Sequence, residues 1–194
     1  PTGVRCPRGL EGLWGDVGIP EALYSAPEIV AAHPEFMKKA MNRQRFFWRW
    51  DKPEKFRVNL RAYYRMISGI DGVIGRVRGA LAEKKLASNT VIIFSGDNGY
   101  YEGQRGFAGK WSHYEESLRV PLIIHDPRAA QSLRGEVSSL MTLNIDIPAT
   151  ILAYAGIDVP AGYQGRSLVP LTQGRDPGKW RDRKSTRLNS SHSE

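Results

Sequence analysis

The sequence predicts an α/β fold in which a mostly parallel sheet is flanked by helices. The first observation is a short apolar run over residues 91–94, rich in β-branched residues, that reads as a buried strand. The second is a similar run over residues 120–124. The third is a long amphipathic helix over residues 54–86, which we expect to cover the sheet.

The predicted helix has a clear beginning and one apolar face. Asp51 is a candidate cap, Pro53 suits the first turn, and Glu54 completes a capping box. Apolar residues then recur at alternating steps of four and three, at positions 56, 60, 63, 67, 70, 74, 77 and 81. This spacing puts all of them on one helix face. The glycines at 69, 72, 75 and 79 fit close packing of this helix against the sheet.

The remaining parts of the chain are less regular. Residues 1–34, with many prolines and glycines, predict loop, and residues 35–50 predict a short helix and a basic aromatic turn. After the second strand, Asp146 is expected to cap a helix that stops at Gly156. The polar, Ser-rich residues 183–194 predict a disordered tail of non-native origin. We therefore divide the chain into a domain part, residues 1–182, and the tail, residues 183–194. Within the domain part, residues 1–50 are mostly loop and basic sequence, and residues 51–171 form the α/β portion.

Composition sets broad limits on the kind of protein. The 194 residues, 41% hydrophobic and 25% charged, suffice for one globular domain. The sequence has no apolar run long enough for a transmembrane helix. A single cysteine, Cys6, excludes an internal disulfide and a cysteine zinc cage.

The net charge of +8 is concentrated in one segment. Residues 38–65 contain ten Lys or Arg and two acidic residues, a balance of +8, with aromatic residues interleaved. Such a segment can bind a polyanion, either nucleic acid or a sulfated glycan. A solvated helix face with core aromatics behind it has the same pattern, and the sequence leaves both interpretations open.

The first strand ends in a turn that carries ligand chemistry. Ser95-Gly96-Asp97-Asn98-Gly99 places a carboxylate and an amide between two glycines, at the edge of the sheet where α/β proteins bind ligands. Both side chains offer oxygen, which suits Ca²⁺ or Mg²⁺ better than a softer metal.

Several motifs in order resemble the sulfatase family of the alkaline-phosphatase-like superfamily. They are Ser95-Gly96-Asp97-Asn98-Gly99, in which Gly96 is an extra or substituted position, then Gly109-Lys110-Trp111, then the run YEESLRVPL over residues 114–122. The likeness extends over about residues 20–171. It implies a partial alkaline-phosphatase-like sandwich, truncated at both ends.

The resemblance also implies roles for site residues. Asp97 and Asn98 match two ligands of a divalent cation, Ca²⁺, and Lys110 matches the lysine that contacts the sulfate. His113 lies near a position where some relatives have histidine; a proton donor and a structural residue are both open for it. Arg105 stands where many relatives have histidine, so it retains charge for substrate binding but cannot act as acid or base.

The family's nucleophile is a formylglycine, matured from a cysteine or serine in a C-x-P-S-R type motif. Cys6-Pro7-Arg8 does not match that motif, so we assign no nucleophile in this chain and read Cys6 as an ordinary thiol. We expect the motif, and the remaining cation ligands, in a missing N-terminal half. The resemblance then implies a sulfuric ester hydrolase as the parent, an inactive fragment here, and export to the periplasm or cell exterior.

Two alternatives remain beside the sulfatase interpretation. One is a phosphoester or phosphonate hydrolase of the same superfamily; Asn98, where two-metal phosphatases have a D-H-type pair, favours the one-metal sulfatase pattern. The other is a non-catalytic polyanion-binding module that uses residues 38–65. On the main interpretation the partner is a sulfated small molecule or glycan, with no nucleic acid and no membrane, and the oligomeric state stays open.

Overall fold

The computed structural model describes residues 8–15, 17–19 and 26–181. The predictions made for Cys6 and for the tail at 183–194 lie outside these residues. Within them the chain forms seven α-helices and two strands: α1 (Pro27–Ala31), α2 (Glu35–Lys38), α3 (Met41–Arg49), α4 (Pro53–Glu83), β1 (Ile92–Ser95), α5 (Glu115–Leu118), β2 (Leu122–His125), α6 (Asp146–Tyr154) and α7 (Val169–Thr172). Single 3₁₀ turns occur at Ala87–Asn89, Gln104–Gly106 and Gln131–Leu133.

The segment before α4 is more helical than expected. Loop was predicted up to residue 34 and one short helix with a turn up to residue 50, whereas α1, α2 and α3 fill most of residues 27–49. Pro27 lies in the first turn of α1, and Pro34 occupies the N-cap position, directly before the first residue of α2. Proline fits the first turn of a helix because no intrahelical partner is lost there. The prolines therefore mark helix starts in this segment.

The long helix is present as α4, three residues shorter at its end than predicted. Its predicted capping box is wrong: the cap position is Lys52, and no side chain caps the helix. The Asp51 carboxylate instead accepts a hydrogen bond from Lys55 Nζ at 2.7 Å. A lysine one turn along the helix thus competes successfully for the aspartate.

The two halves of α4 have different surroundings. Leu60 and Ala62 in the first half are buried, and Leu60 packs in a cluster with Trp50 and Ala108. In the second half Ile67 and Val77 are each about half exposed, at 47% and 49%. Gly75 and Gly79 do not serve close packing against a sheet, because a Cβ atom on either would meet nothing within 4 Å.

Strands β1 and β2 are hydrogen-bonded neighbours in a two-stranded sheet. Both lie within a residue or two of their predicted positions, and all of β1 is half-buried. His125 is the last residue of β2, and its side chain is exposed. The loop between the strands carries every residue singled out for the site.

The chain divides into two compact units, with the division running through both strands. The first holds the described residues up to 87 together with 94–123, and the second holds 88–93 together with 124–181. The first unit has two buried apolar clusters: Met37, Tyr101 and Phe107 with Tyr114, and Trp50, Leu60 and Ala108 with Phe56, Tyr63 and Tyr64. Each cluster combines residues of the N-terminal helices with residues of the loop after β1.

The second unit is built around a buried aspartate. Asp146 is the first residue of α6 rather than its cap, which corrects the prediction. Its carboxylate is inaccessible and accepts hydrogen bonds from the backbone of Leu143 and Arg166, both at 2.8 Å, and from both terminal nitrogens of Arg181. Burial acts to raise the pKa of Asp146, but these hydrogen bonds outweigh it and hold the pKa below its usual range.

The C-terminal end of α6 agrees with the sequence. Gly156, with φ of +71°, follows the last helical turn, and its N–H donates to Ala153 O at 3.2 Å. This left-handed conformation is the one that favours glycine at a helix stop. In the part of the chain that the structure describes, no helix is long and apolar enough to cross a membrane.

Candidate active site

The loop over residues 96–119, here called the site loop, starts directly after β1. Asp97 Oδ1 accepts a hydrogen bond from the Asn98 backbone N–H at 2.8 Å. Asn98 Nδ2 donates to Gly99 O at 2.8 Å, so the amide oxygen of Asn98 is directed away from its own backbone. That oxygen accepts a hydrogen bond from Lys110 Nζ. Asn98 and Lys110, twelve residues apart, therefore meet side chain to side chain.

Gly99 permits a very close backbone approach at the start of the site loop. Its N–H donates to Ser117 O at 2.9 Å, and a Cβ atom on Gly99 would lie 2.2 Å from Glu116 O. No real side chain tolerates such a contact. The turn that carries Asp97 and Asn98 is thus held against α5.

Two aromatic residues anchor the middle of the site loop. Tyr101 and Phe107 are fully buried, with ring centroids 5.4 Å apart. The backbone crosses itself where Tyr101 N donates to Gly109 O at 2.9 Å. Helix α3 adds support, because the Asn42 carbonyl accepts from Ala108 N at 2.9 Å. These contacts fix the backbone immediately before Lys110.

His33 is a supporting residue that sequence reasoning missed. Its ring is buried, 6% exposed, and stacks on Phe107 with centroids 4.6 Å apart. One ring nitrogen lies 3.2 Å from Tyr114 Oη and the other 3.1 Å from Arg105 O. The histidine therefore joins two distant positions of the site loop. No motif surrounds it in the sequence.

Arg105 is held by its neighbours in the loop. Its Nε lies 3.0 Å from both carboxylate oxygens of Glu116, and its guanidinium lies 4.4 Å from the centre of the Tyr114 ring. Its φ of +55° is a left-handed value, unusual for a residue with a side chain. Glu116 compensates the positive charge and fixes the loop. The substrate-binding role of Arg105 stays a prediction.

His113 lies two residues beyond Trp111, and its side chain is exposed. It follows Lys110 by three residues in the sequence, and whether it acts as a proton donor or as a structural residue stays open. Asp97 is likewise exposed at the start of the loop. An exposed carboxylate and an exposed imidazole remain accessible to a ligand.

Glu102 is the second residue that sequence reasoning missed. It follows Tyr101 at the left-handed φ of +49°, beside Gly103, which packs against Trp50 and Phe56. Burial raises the pKa of Glu102 to about 7, and a hydrogen bond from Tyr63 limits the rise. Nothing in the sequence distinguishes this acid from an exposed one.

The donor set suits a hard cation but supplies only part of its shell. Within the described ranges no group of three or more His, Cys, Asp or Glu side chains is placed to hold a metal ion. The site loop offers the Asp97 carboxylate and the inward amide oxygen of Asn98. Ca²⁺ takes about six to eight oxygen ligands, so these two groups fit as one contribution to a larger set.

Comparisons with known proteins agree on one family. The Sulfatase family model matches residues 23–157. An N-acetylglucosamine-6-O-sulfatase of Bacteroides thetaiotaomicron is 36% identical over 129 residues, which cover 66% of this chain and 23% of the relative.

Two solved structures show the same fold. One, described as a complex with its substrate D-glucosamine-2-N,6-O-disulfate, is 35% identical with a TM-score of 0.60, over 66% of this chain and 26% of that one. The other, a phosphonate monoester hydrolase from Silicibacter pomeroyi, is 28% identical with a TM-score of 0.73, over 86% of this chain and 34% of that one. The chain spans about a quarter of the length of the curated relatives it matches.

Proposed function

Because the chain belongs to the sulfatase family, within the alkaline-phosphatase-like superfamily, we propose that its parent protein hydrolyses sulfate esters. The chain contributes a pair of cation ligands, Asp97 and Asn98, and a sulfate-binding cation, Lys110. The observation that carries this proposal is the hydrogen bond from Lys110 Nζ to Asn98 Oδ1. A lysine that binds sulfate at a cation-bound site has to lie beside the cation's ligands.

The chemistry of these side chains suits the reaction. Sulfate ester cleavage displaces an alcohol from an anionic sulfur centre, and a compact ammonium stabilises charge on the sulfate oxygens. When bound, a divalent cation supplies further positive charge and orients the nucleophile. We propose Ca²⁺, because both donors are hard oxygen groups.

The remaining parts of the machinery are proposed outside this chain. They are the formylglycine nucleophile and the other cation ligands. His113 is the candidate for protonating the leaving oxygen, since its side chain is exposed and it follows Lys110 by three residues in the sequence. We further propose that the parent protein is exported and acts on a sulfated small molecule or glycan, the class to which the substrates named for its relatives belong.

Binding measurements on the chain test the ligand assignment. Inorganic sulfate is titrated by calorimetry in the presence of Ca²⁺. A hydrogen bond to a charged group contributes about 1.5–3 kcal/mol, so Lys110→Ala should weaken sulfate binding by about tenfold to a hundredfold. Asn98→Ala should weaken Ca²⁺ binding.

The matched control is Lys84→Ala, which removes an exposed lysine next to the end of α4. It should leave both affinities unchanged. Equal sulfate affinity in the Lys110→Ala variant and the original chain would refute the site. Release of sulfate from an aryl sulfate by the chain alone, above the Lys110→Ala background, would contradict the assignment of the nucleophile elsewhere.

A second candidate function is hydrolysis of phosphonate monoesters. It is favoured by the likeness to the phosphonate monoester hydrolase from Silicibacter pomeroyi. The sulfatase proposal is preferred because the family model and the curated sulfatase relative both match this chain. Competition between phenyl sulfate and monophenyl phenylphosphonate for the site decides between them: tighter binding of the phosphonate would reverse the preference.

A further inference from the structure

Trp111 presents an unusual surface immediately after the sulfate-binding lysine. Its side chain is 60% exposed, although tryptophan is an apolar residue that normally buries most of its area. Its backbone has the left-handed φ of +78°, which is strained for any residue with a side chain. An exposed indole held in a strained conformation beside a catalytic group indicates a role in ligand contact.

Neighbouring residues fix the orientation of this indole. The ring folds back over Gly109, where an added Cβ atom would lie 3.3 Å from Trp111 Cζ3. The Arg45 guanidinium, from α3, lies over the ring with its Cζ 4.4 Å from the centroid. Arginine and indole therefore form one positively charged surface, and the exposed part of the indole stays open to solvent.

In the described part of the chain, Arg45 lacks the polar partner that Arg43 and Arg49 each have. Arg43 donates to Gly106 O at 2.7 Å, and Arg49 donates to Tyr100 Oη at 2.9 Å. Among the residues that the structure describes, the buried Nε of Arg45 has no hydrogen-bond partner, and Arg45 forms no ion pair. The two terminal nitrogens of its guanidinium carry four N–H donors that can pair with an anion.

We propose that Trp111 and Arg45 form a subsite for the part of the substrate that leaves as the alcohol. A ring of that group stacks on the open part of the indole, and a second anionic substituent, a sulfate or a carboxylate, pairs with Arg45. The proposal rests on the proposed function, since Lys110 binds the sulfate that is cleaved. The pairing with Arg45 makes the subsite selective for esters that carry two anionic groups over esters that carry one.

Calorimetric titration of the chain with two sugars tests the subsite. The probes are N-acetylglucosamine 6-O-sulfate, with one anionic group and a neutral amide, and glucosamine 2-N,6-O-disulfate, with two anionic groups. The disulfated sugar should bind about tenfold more tightly, the equivalent of one charge-assisted hydrogen bond. Arg45→Met keeps an unbranched apolar stem over the indole and removes the charge, so it should abolish this preference.

The other variants separate the roles. Trp111→Ala should weaken both sugars severalfold, because an aromatic contact contributes about 0.5–1.5 kcal/mol. Arg78→Met, which removes an equal charge from an exposed position of α4, should change neither affinity. If circular dichroism shows that Arg45→Met does not fold, the ratio of the affinities for the two sugars is measured on Arg45→Gln instead.

The outcomes are distinct for the two proposals. If Lys110→Ala weakens both sugars while the Arg45 variants keep the tenfold preference, the subsite is refuted and the sulfatase site stands. If Lys110→Ala weakens neither sugar, the proposed function itself fails. If Arg78→Met reduces the preference as much as Arg45→Met, binding is diffuse attraction of polyanions to the net positive charge of the chain, and the subsite is refuted.

Discussion

Replacing Glu102 with glutamine should remove a pH dependence from the stability of the chain. In the folded chain the buried carboxyl has a pKa of about 7, against an ordinary value of 4.5. The folded state therefore holds a proton that the unfolded state releases at lower pH. Stability from this group is fully present below about 4.5 and is lost as the pH rises to about 7.

The magnitude follows from the two pKa values. One pKa unit corresponds to about 1.4 kcal/mol, so a rise from 4.5 to about 7 amounts to about 3 kcal/mol. Above pH 7 the ionised carboxylate remains buried beside Tyr63, and the loss stays constant. The hydrogen bond with Tyr63 gives glutamine a partner, so the substitution preserves the local contacts.

Urea unfolding at half-unit steps from about pH 4.5 to 8 measures this dependence. The difference in unfolding free energy between the original chain and Glu102→Gln should change by about 3 kcal/mol over that range, with the variant relatively more stable at high pH. Glu83→Gln, at the exposed end of α4, is the control and should follow the original chain. Parallel curves for Glu102→Gln and the original chain would refute the argument from burial.

Two further predictions concern the packing of the site loop. Gly99→Ala should lower the unfolding free energy by about 3 kcal/mol in urea titrations, because its Cβ would lie 2.2 Å from Glu116 O. Gly79→Ala, in open space on α4, should raise the unfolding free energy by about 1 kcal/mol. Equal effects at both positions would contradict the close backbone approach at Gly99. His33→Ala removes the partner of Tyr114 Oη and leaves a buried gap, so thermal unfolding should show a loss of about 2 kcal/mol. An unchanged melting temperature would show that His33 does not hold the loop.

The turn that carries Asp97 and Asn98 could be predicted because its signals are local in the sequence. Glycines around Asp97 and Asn98 mark a sharp turn after an apolar run, and the structure has that turn directly after β1. The convergence of Lys110 on Asn98 came from the family resemblance. Spacing alone does not specify it, because the backbone between them crosses itself at Tyr101 and Gly109.

The parts that sequence reasoning missed depend on contacts between distant residues. The guanidinium of Arg45 lies over the Trp111 ring only because α3 packs against the site loop. His33 joins the loop across more than seventy residues. The titration of Glu102 is set by burial, and no local pattern distinguishes a buried glutamate from a solvated one.

Local competition explains the errors in helix starts. Both Asp51 and Asp146 precede apolar helical patterns and were expected to cap them. Lys55, one turn along α4, donates a hydrogen bond to the Asp51 carboxylate, and the distant Arg181 donates to the Asp146 carboxylate. Capping preference is a difference of about 1 kcal/mol, so a strong ionic partner overrides it.

The ion pair of Asp146 with Arg181 shows that the folded region extends at least as far as Arg181. The family match ends at residue 157, yet Arg181, much further along, neutralises a carboxylate that has no contact with solvent. A protein shortened to the limits of sequence similarity would retain the buried acid and lose its counter-charge, at a cost of about 3–5 kcal/mol. The natural place to shorten this chain therefore lies beyond Arg181, where similarity to the family model has already ended.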